Sequence, residues 1–105
     1  MWVFASNGFV SIVEDYEQAG NLLCRSRARQ HLAALFPGHR ITTTPLRDYR
    51  FRVSVPREEA TKIIADLVAG IDYNNFKDSI PDDAYHDACS GVWREMYSYQ
   101  RRQPK

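Results

Sequence analysis

The chain has 105 residues, 44% of them hydrophobic and 26% charged, and carries a formal net charge of +1. That length supports one modest core, and the composition is that of an ordinary globular protein, which suggests neither disorder nor a membrane span. No apolar run approaches the roughly 20 residues of a membrane-spanning helix, and Met1 to Phe4 lacks a basic leader. The expected setting is therefore cytoplasmic, with no membrane partner.

In chain order, two strands are expected around Ser6-Asn7-Gly8, because Asn-Gly supplies the positive φ of a tight hairpin turn. Asp15 to Gly20 reads as a polar loop and Leu22 to Arg25 as a third strand. Ser26 is placed to cap a helix through Ala28, Leu32, Leu35 and Phe36, which Pro37-Gly38 ends. β-Branched Ile41 to Thr44 predicts a strand, followed by a turn over 45–48 and a strand from Tyr49 to Val55.

Pro56 then opens a helix at the position proline favours, with Glu58 and Glu59 where the helix dipole welcomes negative charge. Its apolar face is Ala60, Ile63, Ile64, Leu67, Val68 and Ile71. Asp72 to Pro81 is too polar and irregular for a regular element. The last helix begins near Asp82 or Asp83 and carries Tyr85, Ala88, Cys89, Val92 and Met96 on one side, with Trp93 at its edge. Residues 1–100 read as a single α+β domain and 101–105 as a frayed basic tail. The element order predicts an antiparallel sheet with helices packed on one face, a ferredoxin-like or related sandwich.

Charge is spread unevenly along this frame. Eight arginines stand between Arg25 and Arg57 against one acid, Asp48, while most of the other acids lie between Glu58 and Glu95. Such asymmetry in a nearly neutral chain bears on surface recognition more than on fold.

Period-two alternation assigns faces to the stretch Tyr49 to Val55. Tyr49, Phe51, Val53 and Val55 share one side, and Arg50, Arg52 and Ser54 the other. Buried unpaired arginine is costly, so the aromatic and aliphatic set is expected inward and the arginines on the open face, joined by Arg25 from the third strand. Guanidinium groups suit bidentate contact with carboxylates and phosphates. The candidate partner-binding residues are Arg25, Arg27, Arg50 and Arg52, together with Asn74, Asn75 and Lys77 of the connector. Tyr73 and Phe76 beside them are expected to plug the end of a core.

Other chemistry is weakly signalled. Cys24 and Cys89 have no metal spacing and read as buried small hydrophobes. Asp82 and His86 lie four apart, but aspartate at a helix start is a cap before it is a ligand. No Gly-rich phosphate loop, HExxH or paired-cysteine motif occurs, so neither catalytic residues, a metal nor a cofactor is expected and the chain reads as non-enzymatic.

The stretch Val3 to Asn7 with Arg47, Tyr49 and Phe51 superficially resembles an RNA recognition motif. Stacking on RNA would need Tyr49 and Phe51 on the open face and would turn Arg50 and Arg52 inward, and GFVSIV reads as a strand where that family begins a helix.

A broader resemblance covers nearly the whole chain. Met1-Trp2-Val3-Phe4, Gly8-Phe9-Val10-Ser11-Ile12-Val13, Leu22 to Arg29, Asp48-Tyr49-Arg50-Phe51-Arg52, Ile71-Asp72-Tyr73-Asn74-Asn75-Phe76-Lys77 and Val92-Trp93 with Met96 together resemble a family of small bacterial and phage proteins of uncharacterised function. The resemblance implies a stand-alone domain and carries no activity. Cys24 stands where that pattern would have a plain aliphatic residue.

The functional expectation is a binding or regulatory module that engages an acidic protein surface through the arginine-bearing sheet face. By analogy with other small stand-alone domains, a phage or bacterial counter-defence inhibitor fits that description. Nucleic-acid binding by the basic 25–57 segment is the alternative, and homodimerisation through sheet edges or the surfaces around Trp2 and Trp93 is a further one.

Overall fold

The computed structural model describes residues 1–105, which divide into two compact units, Met1–Asp72 and Tyr73–Lys105. The boundary falls inside the stretch that the sequence reads as one domain.

The first unit holds a five-stranded antiparallel sheet and two helices. β1 (Trp2–Ala5) and β2 (Gly8–Glu14) form a hairpin, β3 (Asn21–Ser26) pairs with β2, β5 (Phe51–Pro56) pairs with β3, and β4 (Thr42–Thr43) is a short edge on β5. The spatial order is β1-β2-β3-β5-β4. α1 (Arg29–Leu35) connects β3 to β4, and α2 (Arg57–Ala69) follows β5. A β-α-β-β-α run is thus present, as in a split βαβ sandwich. In place of a strand after α2, the N-terminal hairpin supplies the neighbour of β3. This is the expected α+β fold in a related form.

Alternation along the strands sends Val10, Ile12, Cys24, Val53 and Val55 to one face. Leu32, Leu35 and Phe36 pack there from the α1 segment, and Ala60, Ile63, Ile64 and Leu67 from α2. Val10 and Val55 are fully buried, each worth roughly 1.5–3 kcal/mol.

Several local expectations give way to packing. The Ser6-Asn7 turn closes without any positive φ, since the left-handed residues are Gly20 and Gly38. Gly8 serves instead as a point of close approach. A Cβ placed there would lie 2.8 Å from Cβ and Cγ of His31 on α1, and the Phe9 N–H donates to His31 Nδ1 across the same contact at 3.2 Å.

Ser26 does not cap α1. It is the last residue of β3, fully buried, with its hydroxyl donating to the Phe9 carbonyl, and Ala28 takes the N-cap position without a side-chain bond. Pro56 ends β5 and serves as the N-cap of α2, one position before that expected. Val68 and Ile71, assigned to the inner face of α2, are 64% and 52% exposed, because the helix ends at Ala69 and the core contacts stop at Leu67.

In the second unit, a single 3-10 turn (Lys77–Ser79) precedes α3 (Asp83–Arg101). Asp82 caps α3, its Oδ2 accepting from the Tyr85 N–H at 2.8 Å. The helix absorbs Arg101, so the basic tail is shorter than the sequence implied. No helix is long and apolar enough to cross a membrane.

Candidate functional site

The arginines gather on the sheet face opposite α1 and α2. Register places Ser11, Arg25 and Arg52 side by side across β2, β3 and β5, and two-residue periodicity carries Arg27 to the same side just beyond β3. The ring of Tyr49 stands against Arg25 and Arg27. The Arg25 Cζ lies 4.5 Å and the Arg27 Cζ 4.4 Å from its centroid, and Phe9 stacks at 6.4 Å with an interplanar angle of 20°.

Tyr49 therefore does not face the helices, as simple alternation had it. β5 begins at Phe51, the bond from the Thr44 N–H to the Arg50 carbonyl is the last rung to β4, and beyond it the Tyr49 carbonyl accepts from the Thr44 hydroxyl instead of from the backbone. The period-two count breaks between Tyr49 and Phe51, so these aromatics lie on different faces. Phe51 packs against the core and Tyr49 among the arginines. Cation–π contact favours this arrangement, at roughly 0.5–1 kcal/mol for an exposed cation such as Arg27 and more as the cation is desolvated.

Hydrogen bonds fix each guanidinium. Arg25 Nη2 donates to Ser11 Oγ at 2.9 Å, Arg27 Nη1 to the Asp48 carbonyl at 2.7 Å, and Arg52 Nε to Thr44 Oγ1 at 3.2 Å. Asp48 is the nearby carboxylate, 3.7 Å from Arg52 Nη2. Burial, then repulsion from Arg47 and Arg25, lowers the Arg52 pKa, with Asp48 opposing. Arg25 Nε is buried and makes no hydrogen bond within the chain.

The structure brings together Arg25, Arg27 and Arg52. Arg25 and Arg52 are half-buried, and Arg27 and Arg50 exposed. Arg50 stands immediately before β5, its carbonyl bonded to the Thr44 N–H. Asn74, Asn75 and Lys77 belong to the second unit. Asn75 Oδ1 accepts from the Asp78 N–H, and the Lys77 ammonium sits 4.4 Å from the Trp93 ring centroid; both have local structural work. Asn74 is exposed. Tyr73 and Phe76 are half-buried and pair with each other at 6.1 Å.

The sequence reading missed the aromatic row on the arginine face. Phe9 touches Trp2 at 6.1 Å and Phe4 at 4.7 Å, then Tyr49. The alternation in GFVSIVE signalled it, since Val10 and Ile12 inward require Phe9 and Ser11 outward.

The chain matches no family model, no curated protein and no solved structure.

Asp82 is a helix cap, and His86 Nδ1 lies 3.7 Å from Asp87 Oδ1 at the surface. Cys24 and Cys89 are both buried free thiols. Burial pushes Cys24 to about 12 and raises Cys89, which leaves either a poor nucleophile near neutral pH.

Proposed function

We propose that this protein is a non-enzymatic binding or regulatory module that engages an acidic protein surface through the arginines around Tyr49. The observation that carries the reading is the convergence of Arg25 and Arg27 on one aromatic ring, with Arg52 beside Arg25 across the strands and Asp48 as the nearby carboxylate. Positive charge is concentrated there beyond what the chain neutralises itself.

The contact is made by the exposed arginines, Arg27 and Arg50 with Arg47. Arg25 and Arg52, tied to Ser11 and Thr44, act behind them as the fixed part of the charge. Exposed arginines on a rigid strand end and loop suit bidentate capture of Asp and Glu side chains.

The test is capture of cellular protein by the native chain and by Arg27→Glu/Arg50→Glu, with nuclease treatment and a salt series. The reading requires a defined acidic protein that survives nuclease and loses at least about tenfold in recovery with the double reversal. Recovery of nucleic acid alone, with binding that collapses steeply as salt rises, would assign the basic segment to phosphate backbone instead. Equal capture by both chains would remove the arginine surface from the interaction.

A further inference from the structure

α3 carries a second surface that the arginine reading does not use. Tyr85, Cys89, Val92, Met96 and Tyr99 recur at alternating spacings of four and three, the seam of a helix that packs lengthwise against another helix. Tyr85 and Cys89 are 7% and 5% exposed, whereas Val92, Met96 and Tyr99 are 38%, 58% and 50% exposed. The seam thus runs on past its covered half. Trp93 flanks the uncovered half, 52% exposed and held by its stack on Tyr97 at 5.3 Å and by the Lys77 ammonium. A shallow cavity of about 410 Å³ opens along it, between Trp93, Met96, Tyr97 and Gln100.

We propose that the occupant of this half-seam is the same segment of a second copy, running antiparallel. The argument is charge. In an antiparallel pairing Met96 lies against Tyr99 of the second copy and the reverse, and the positions flanking the seam on one side meet each other. Those positions are Glu95 and Arg102, both exposed, so each Glu95 meets the Arg102 of the other copy, twice by symmetry. Trp93 and Gln100 meet on the other flank. A parallel pairing would instead set Glu95 against Gln100 and leave Arg102 without an acid. Antiparallel packing also opposes the two helix dipoles.

The apolar and flanking side chains would bury roughly 500 Å² per copy, about 1,000 Å² in total, at the lower limit for a specific interface. The contact is therefore a weak reversible dimer of the isologous kind.

Sedimentation equilibrium on the full chain tests it, with circular dichroism to confirm that each variant keeps its helix content. The native chain should dimerise with a Kd on the order of 10 µM, and Met96→Asp should raise that value at least about tenfold. Glu95→Arg and Arg102→Glu should each weaken the dimer about threefold or more, and the chain carrying both should recover to near the native value. A native chain that stays monomeric to several hundred micromolar overturns the proposal. So does a dimer indifferent to Met96→Asp, or single reversals that the double reversal fails to rescue.

Discussion

Gly8→Ala isolates the contact between β2 and α1. Gly8 has an ordinary backbone conformation, so a strand position of this kind would normally gain about 0.4–1 kcal/mol from alanine through reduced freedom of the unfolded chain. The added methyl, however, would stand 2.8 Å from His31 Cβ and 3.0 Å from its Cα. These atoms are fixed to the helix backbone, so relief requires α1 to move, and overpacking of that kind costs typically 1–3 kcal/mol. Moving α1 also stretches the bond from the Phe9 N–H to His31 Nδ1. The net expectation is a loss of about 1–2 kcal/mol, or a fall in Tm of about 5–12 °C at this chain length. Urea unfolding with the m-value held constant measures it. A variant as stable as the native chain would refute the reading of Gly8 as a close-approach residue.

Gly91→Ala is the opposite case, because a methyl there meets nothing nearer than Arg94 Nη2 at 3.8 Å; it should raise stability by about 0.5–1 kcal/mol in the same unfolding experiment. Tyr49→Ala should cost about 3 kcal/mol by removing a buried ring from between arginines, and a loss under about 1 kcal/mol would show that those contacts stabilise nothing. The Asp15 carboxyl is held below its ordinary pKa chiefly by the Ser54 hydroxyl, with burial opposing. A depressed carboxyl stabilises the fold above the unfolded pKa of about 4, and that contribution is lost as pH falls through the lower folded value. Ser54→Ala should therefore flatten the loss of stability between pH 7 and pH 3, and an unchanged pH slope would contradict the assignment. At pH 8 the Cys24 thiol should react with a disulfide reagent roughly a thousandfold more slowly in the folded chain than in urea, and equal rates would deny its burial.

Much of this protein is written in local pattern. The alternation of Val10, Ile12, Cys24, Val53 and Val55 and the three-and-four spacing on α2 are enough to give strands, helices and their inner faces, because burying one face is what stabilises an amphipathic element. Asp82 was legible as a cap for the same reason, since its role depends on residues one turn away. The arginine cluster was half legible: strand period placed Arg25 and Arg52 on one side, yet it misplaced Tyr49. The end of the ladder before Arg50 has no local signature, because it depends on where Thr44 finds its hydrogen-bond partners.

Gly8 shows the same limit from the other side. Asn7-Gly8 located the hairpin correctly, but the glycine answers to His31, more than twenty residues away, and no window of sequence contains that contact. What the sequence determined by itself was periodicity, and with it the elements and their inner faces. Tertiary structure alone decided which side chains meet, because close approach and the breaking of a strand are settled by atoms distant in the chain.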